Sequence, residues 1–358
     1  MTFIQLILLI FLFLTRRVSS SNQLNLVGDY KLMSINIPKV LVYTYTDGFR
    51  HDSIPTAISM LNQEKDNWGV KFDFTEDRNA FRDDNYLKQY DALMFIHATG
   101  EVLDQQGQEA FQRYLQSGGN FIGVHAAVCG MYNSSVYKST IGALFEWHPV
   151  IQEATFKREN TTHPATANVP DNWRFAEEVY YFTSDPRENG AVVILSVDES
   201  SYNNESYSSN SGHPHPIAWY IDPPKPSQPL QAGAVKGGRS FYTALGHSNE
   251  TWQNETFINH VFSGLTWALD GASTRSYGSG LVGSEEARPP PPSPPPSSPA
   301  SSVSSLSDPS SSVPVAGPTL PGHALQVTSD GVGMLGSTTV GVALCFLFGV
   351  LTGYYVIA

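Results

Sequence analysis

The chain has 358 residues, of which 41% are hydrophobic and 15% are charged, a composition typical of a globular protein. Its formal net charge is −12 at pH 7, and no basic stripe runs through the sequence. These features argue against a nucleic-acid-binding protein, because such proteins carry clustered Lys and Arg.

Residues 1–20 are typical of a secretory signal peptide. An apolar run from Phe3 to Leu14 is too short to span a bilayer comfortably, and small residues follow it around Ser20. We therefore expect export, with cleavage near Ser20. One feature departs from the usual pattern, because Arg16 and Arg17 follow the apolar run instead of preceding it.

Residues 36–272 have the length of one domain, and strands alternate with helices in their first half. The predicted elements are a strand at 39–45, a helix from a cap at Ser53 to residue 65, strands at 70–75 and 90–96, a helix from a cap at Asp104 to residue 117, and a strand at 120–124. Nearly continuous apolar strands separated by helices predict a parallel sheet covered on both faces.

Polar loops follow three of these strands. The segment Thr46–His51 follows the first strand, His97 the third and His125 the fourth. Ligands of such sheets bind beyond the carboxyl ends of the strands. We therefore expect the three loops to open on one functional edge.

The second half is less regular. Strands are predicted at 153–156, 192–195, 217–220 and 239–245, and a closing helix at 256–268. The segment 198–216 is rich in Ser, Asn and Tyr and is interpreted as a surface insertion.

The composition changes at residue 283. Residues 283–328 are rich in Pro and Ser, which predicts an extended or disordered stalk suited to O-glycosylation. In 329–358, a triplet of small residues begins at Ser329, and a short spacer and an apolar tail without a following Lys or Arg come next. This pattern predicts a glycosylphosphatidylinositol anchor, and a tail-anchoring transmembrane helix is the alternative.

These terminal segments predict a protein on the outer face of the plasma membrane or wall, attached to the membrane through its C-terminal anchor. The second of the two cysteines, Cys345, lies in the tail, so a processed chain would keep Cys129 alone and form no internal disulfide. N-glycosylation is predicted at the sequons of Asn133, Asn160, Asn204, Asn249 and Asn254.

Histidines supply the most promising candidates for chemistry. His125 and His247 each follow an apolar strand, and imidazole serves as a general base or as a metal ligand. Glu146 precedes His148 by two residues, a spacing that can place both side chains on one strand face. No spacing matches a known metal signature, so a divalent metal such as Zn²⁺ and metal-free acid/base chemistry both stay open. The alternative for each histidine is a hydrogen-bonded core residue.

Nucleophilic catalysis has weaker support. His125 stands where a strand-to-helix elbow carries Ser or Cys in a hydrolase, and Cys129 is interpreted as a small buried apolar residue. Several aromatic residues could stack on a sugar, although core packing is the usual alternative; they are Tyr180, Tyr181, Trp147 and Trp252.

Seven segments in order resemble the ThuA-like (trehalose utilisation) family. They are Val42–His51, Gly118–Ala127, Trp147–Pro149, Thr162–Pro164, Glu177–Phe182, Gly238–His247 and Gly264–Ala268. The resemblance implies a flavodoxin-like three-layer α/β sandwich with a mainly parallel central sheet, similar to class I glutamine amidotransferases. His125 then takes the position of the amidotransferase cysteine, which argues against glutamine hydrolysis through a thioester.

The resemblance also implies a carbohydrate substrate, because the family is associated with trehalose and related disaccharides, including 3-keto sugars. We hypothesise a cell-surface protein that modifies glucosides or keto-glucosides. In this hypothesis His125, His247 and His51 form the acid/base or metal centre, with His148 as a further candidate ligand. The supporting or substrate-positioning groups are Glu146, His148, Glu178, Tyr180 and Arg50.

Two other functions stay open. The chain could be a non-catalytic carbohydrate-binding or wall-associated module, since a stalk and an anchor suit display as well as catalysis. A residual hydrolase that uses Cys129 is the third possibility.

Overall fold

The structure is a computed structural model that describes residues 37–270 and 281–283. The strands in these residues are β1 (Lys39–Tyr43), β2 (Lys71–Thr75), β3 (Ala92–Ile96), β4 (Asn120–Val124), β5 (Phe145–Trp147), β6 (Gln152–Arg158), β7 (Asn172–Glu177), β8 (Tyr181–Phe182), β9 (Val192–Val197), β10 (His215–Ile221) and β11 (Ser240–Thr243). The α-helices are α1 (Ile54–Trp68), α2 (Asp84–Leu87), α3 (Gln105–Gln116), α4 (Ser135–Ile141), α5 (Asn249–Trp252) and α6 (Glu255–Leu269).

The main sheet has the strand order β2-β1-β3-β4-β11-β10-β9-β6-β7. Strands β2, β1, β3, β4 and β11 are parallel, whereas β10, β9, β6 and β7 join by antiparallel pairing. The apolar runs that predicted buried strands are indeed buried, since all residues of β3 and β4 are inaccessible. The predicted flavodoxin-like α/β fold is confirmed.

The strand directions determine at which edge of the sheet the carboxyl end of each strand lies. Four antiparallel steps separate β11 from β7, so β7 runs in the same direction as β11 and the parallel strands. The carboxyl end of β7 therefore lies at the same edge of the sheet as the carboxyl ends of β1, β3, β4 and β11. This edge is called the carboxyl edge below.

Helices pack on both faces of the sheet. Phe241 of β11 packs against Gly264 of α6. On the opposite face, the next residue, Tyr242, lies beside Gly123 and Ile141, the last residue of α4. Successive side chains of a strand point to opposite faces, so the arrangement has three layers.

The sequence missed several elements. Strands β5 and β8 have only three and two residues, and β7 alternates between exposed and buried side chains at the end of the sheet. Short or half-polar segments of this kind carry little periodic signal.

The two predicted helix caps differ in outcome. Asp104 caps α3, because its carboxylate accepts a hydrogen bond from the backbone N–H of Gly107 at 2.9 Å. The prediction for Ser53 was wrong, since its side chain makes no capping hydrogen bond to α1. Its hydroxyl instead donates to the backbone carbonyl of His247 at 2.6 Å.

The predicted signal peptide (1–20), anchor (329–358) and nearly all of the stalk (283–328) lie outside the described residues. Within 37–270, no helix has the length and apolar character needed to cross a bilayer.

Candidate metal centre

Four loops at the carboxyl edge bring histidines together. His51 follows β1, His97 follows β3, His125 follows β4 and His247 follows β11. The ring centre of His51 lies 4.4 Å from that of His97, 4.9 Å from that of His125 and 5.1 Å from that of His247. The expected meeting of the first three loops is therefore seen, and the loop after β11 joins them.

The backbone turns sharply where two of these strands end. His97 and His125 have φ angles of 52° and 51°, in the left-handed region. Residues other than glycine seldom adopt this conformation, and where they do it is often at a functional site. His125 then begins a short 3₁₀-helix, His125–Val128, so imidazole occupies the elbow position.

Three side chains point their donor atoms at a common centre. His125 Nε2 lies 3.3 Å from Glu178 Oε2 and 3.3 Å from His247 Nδ1, and these last two atoms are 2.9 Å apart. Tetrahedral ligands held about 2.0–2.1 Å from a zinc ion stand about 3.3 Å from one another. The three atoms are therefore already close to the spacing that such an ion requires.

His51 completes the group. One donor atom from each of His51, His125, Glu178 and His247 lies within 4.8 Å of all the others. The Nδ1 atom of His51 is buried and has no hydrogen-bond partner among the described residues. We call these four residues the His/Glu cluster.

A backbone contact fixes the orientation of His125. Its Nδ1 lies 2.6 Å from the carbonyl oxygen of Ala244 and therefore carries the proton that it donates. This leaves the lone pair of Nε2 directed into the cluster. Metal-binding histidines are commonly oriented by a contact of this kind.

The cluster is charged in the absence of an ion. Burial alone would raise the pKa of Glu178, but its contacts with His125 and His247 hold that pKa well below its usual value. Burial alone would lower the pKa of His247, but the Glu178 carboxylate raises it. Burial is the main cause that keeps the pKa of His51 well below its usual value, and the neighbouring imidazoles of His125 and His247 add to it. These shifts favour an ionised Glu178, a protonated His247 and a neutral His51, and a bound cation would displace the His247 proton.

Glu177, which begins the family-like segment Glu177–Phe182 but was not among the predicted site residues, positions Glu178 and His247. Its buried carboxylate accepts hydrogen bonds from the backbone N–H of Gly246 at 2.9 Å, of His247 at 3.2 Å and of Glu178 at 3.0 Å. It also accepts from the hydroxyl of Thr251 at 3.0 Å. Glu177 therefore connects the end of β7 to the loop that carries His247.

His97 contacts His51 and His125; its loop was expected at the functional edge, but the residue was not among the predicted site residues. The Ser53 hydroxyl donates to the His247 carbonyl, so the His97 Nε2–H, 3.2 Å from Ser53 Oγ, must be the donor in that contact. His97 is fully buried, and burial keeps its pKa well below the usual value. A neutral His97 therefore supports the backbone of His247.

Tyr180 lies directly against His125. Its hydroxyl is 2.8 Å from His125 Nε2, and the two rings stack with centres 4.5 Å apart. Tyr180, Tyr181 and Trp252 are all 2% exposed or less, so their rings are not available for stacking on a sugar. Cys129 is also buried, with its Sγ 3.9 Å from the Tyr180 hydroxyl oxygen.

The other predicted residues lie around the cluster or outside it. His148 Nε2 is 3.5 Å from the second carboxylate oxygen of Glu178, so His148 contacts the cluster but does not belong to the four donors. The guanidinium of Arg50 binds Glu76 at 2.7 Å. Glu146 is hydrogen-bonded to Tyr207 and is not among the cluster's donors.

Known proteins resemble this chain in sequence and fold. The family described as "ThuA: Trehalose utilisation" matches residues 39–268. A ThuA-like protein from Bacteroides uniformis has 21% sequence identity and a TM-score of 0.52, over 64% of this chain and 91% of that chain. A ThuA-like protein from Parabacteroides merdae has 18% identity and a TM-score of 0.48, over 65% and 90%. No curated protein matches the sequence. The Bacteroides structure supports the fold assignment.

Proposed function

The chain belongs to the ThuA (trehalose utilisation) family, and we propose that it is a metal-dependent enzyme that modifies glucosides or keto-glucosides at the His/Glu cluster. One observation carries the proposal: donor atoms of His125, His247 and Glu178 stand 2.9–3.3 Å apart around a common centre. Two histidines and one glutamate form a ligand set used by catalytic zinc sites, which keep a further position for water or substrate.

The donor set suits a divalent ion of the transition series. Imidazole suits Zn, Cu, Fe and Ni, whereas Mg and Ca sites are built from oxygen ligands. His51 would be a fourth ligand, and Ala244 would hold His125 in the required tautomer. When bound, the ion would act as a Lewis acid on a carbonyl or hydroxyl oxygen of the sugar.

The chain's own groups would move protons. A C–H beside a ketone loses its proton only when a base is close and the developing oxyanion is stabilised. His148 is suited to the base, because its side chain is 27% exposed and its Nδ1 is held by the Pro149 carbonyl at 2.8 Å. The Tyr180 hydroxyl would donate a hydrogen bond beside His125.

The decisive experiment is elemental mass spectrometry on the purified full-length chain. It compares wild type with the His125→Ala/His247→Ala double variant and with His213→Ala, which changes an exposed histidine outside the cluster. We expect near-stoichiometric metal in wild type and His213→Ala, and loss of the metal in the double variant.

Turnover of a 3-keto-glucoside should be lost with the metal. Wild-type turnover by the double variant, or a metal-free wild type, would refute the proposal. Sugar binding without metal or turnover would favour the carbohydrate-binding module.

A cell-surface location remains a prediction from the terminal segments, as does glycosylation of the five sequons. Release of the protein from intact cells by a phosphatidylinositol-specific phospholipase would support the lipid anchor. A mass decrease after treatment with an N-glycosidase would support the glycans.

A further inference from the structure

Four large apolar side chains in loops at the carboxyl edge are exposed. Phe49 is 39% exposed, Tyr132 37%, Val150 64% and Ile151 49%. Large apolar side chains of a folded domain are normally buried, and a concentration of exposed ones beside a group of titratable residues indicates a ligand site.

Phe49 lies at the rim of the cluster beside a candidate ligand. The rings of Phe49 and His51 pack edge to face, with their centres 4.9 Å apart and an angle of 89° between their planes. The backbone carbonyl of Phe49 accepts a hydrogen bond from the Thr99 hydroxyl at 2.7 Å. The loop that presents the Phe49 ring is therefore anchored to the loop after β3.

Tyr132 lies in the loop after β4. Its hydroxyl donates to the carbonyl of Phe145 at 3.2 Å, and the Phe145 ring contacts Tyr180 at 4.8 Å between centres. A backbone bridge joins Gly100, next to Thr99, to Gly130, two residues before Tyr132. The loops after β1, β3 and β4 thus form one continuous rim that carries both exposed rings.

Val150 and Ile151 lie on the β6–β7 side of the cluster. They come between His148 and the start of β6, where Gln152 pairs with Glu177. These two side chains therefore lie at the carboxyl edge, near the end of β7 that carries Glu177.

We propose that Phe49 and Tyr132 form an aromatic platform for the non-reacting ring of a disaccharide whose other ring occupies the His/Glu cluster. The apolar C–H face of a pyranose packs on an aromatic ring, as other flat apolar groups do. The proposal rests on the proposed function for the identity of the reacting centre.

A second copy of the chain is the competing occupant of this surface. Stable protein interfaces use roughly 20–30 residues a side. Four exposed apolar residues that border a group of titratable side chains fit a small ligand better.

The experiment measures trehalose and glucose binding to the full-length chain by isothermal titration calorimetry. The variants are the Phe49→Ala/Tyr132→Ala double variant and Phe49→Tyr, which keeps an aromatic ring. Val235→Ala is the matched control, because Val235 is 75% exposed and lies in the loop before β11, at the opposite edge of the sheet.

We expect the dissociation constant for trehalose to rise about tenfold or more in the double variant, since ring contacts contribute roughly that factor. Phe49→Tyr and Val235→Ala should bind trehalose like wild type. Metal content and glucose binding should not change in any of these variants, because His125, His247 and Glu178 still hold the ion and the reacting ring when the Phe49 ring is removed from beside His51.

Three results would overturn the platform: wild-type trehalose affinity in the double variant, no trehalose binding by wild type, or a change in oligomeric state by light scattering with unchanged affinity. Trehalose binding that depends on the two rings in a metal-free protein would refute the proposed function alone. A bound metal with ring-independent trehalose binding would refute the platform alone.

Discussion

The His/Glu cluster and a second pair of histidines, His163 and His260, are buried to a similar degree but have different environments. Both members of the pair contact Ala165: His163 Nδ1 accepts from its N–H at 3.2 Å, and His260 Nδ1 donates to its carbonyl at 2.7 Å. Their other contacts are aromatic rings, and burial lowers the pKa of each imidazole to about 4.

The carboxylate makes the difference between the two groups. Burial disfavours a charged imidazole in both places. Glu178 reverses this effect for His247 and brings three donor atoms to one point, whereas no carboxylate is hydrogen-bonded to His163 or His260 among the described residues. A buried histidine is therefore a candidate ligand only when its neighbours supply the charge and the geometry.

The largest effect is expected from removing that charge. Glu178→Gln should lower metal affinity by more than about a hundredfold, because even changes outside the ligand set cost about 10–100-fold. A competition titration against a chelator measures the affinity. Glu199→Gln is the control, since Glu199 also pairs with a histidine, His215, at 2.9 Å but outside the cluster. Equal affinity of Glu178→Gln and wild type would contradict the assignment of Glu178 as a ligand.

A smaller effect should follow from loosening the loop of His247. Glu177→Gln replaces an acceptor-only carboxylate with a group that has one acceptor oxygen, so some of its hydrogen bonds are lost. Metal affinity should fall by about 10–100-fold while far-UV circular dichroism stays unchanged. Glu153→Gln, on exposed Glu153 of β6, should behave like wild type. An affinity loss that appears only together with unfolding would show that Glu177 is merely structural.

The sheet shows what the sequence could and could not predict. Strands β3 and β4 are buried along their whole length, so their apolar runs and the loops after them could be predicted. The position of Glu178 at the cluster depends on four antiparallel pairings between β11 and β7. The order of strands along the chain does not show which strands pair in the sheet.

Individual side chains show the same limit. Ser53 has the sequence position of a helix cap, but its hydroxyl donates a hydrogen bond to the backbone carbonyl of His247 instead. His148 was expected among the ligands, and it instead contacts the outer oxygen of Glu178. In both cases the decisive neighbour is far away in the chain and is brought close only by the fold.

The smallest effect concerns the second histidine pair and acid stability. An imidazole whose folded pKa is about 4 takes up a proton more readily when unfolded, where its pKa is about 6.5. Its contribution to stability is therefore complete above pH 6.5 and is lost as the pH falls from 6.5 towards 4.

For His260 alone, the free energy of unfolding should fall by about 1 kcal/mol between pH 7 and pH 5.5. Urea unfolding of chelator-treated wild type and His260→Gln across this range measures the difference. The variant should lose less stability than wild type over the same interval, and identical pH dependences would show that His260 does not have the lowered pKa.

The donors of the His/Glu cluster are widely spaced along the chain, with His51 after the first strand of the sheet and His247 after the last. A polypeptide is made from its N-terminus, and a domain folds as a unit. His51 and His125 leave the ribosome well before Glu178, and His247 follows last. An ion held by all four residues would be acquired only when synthesis of the folded region is nearly complete, so the compartment in which the finished chain folds would determine which metal it receives.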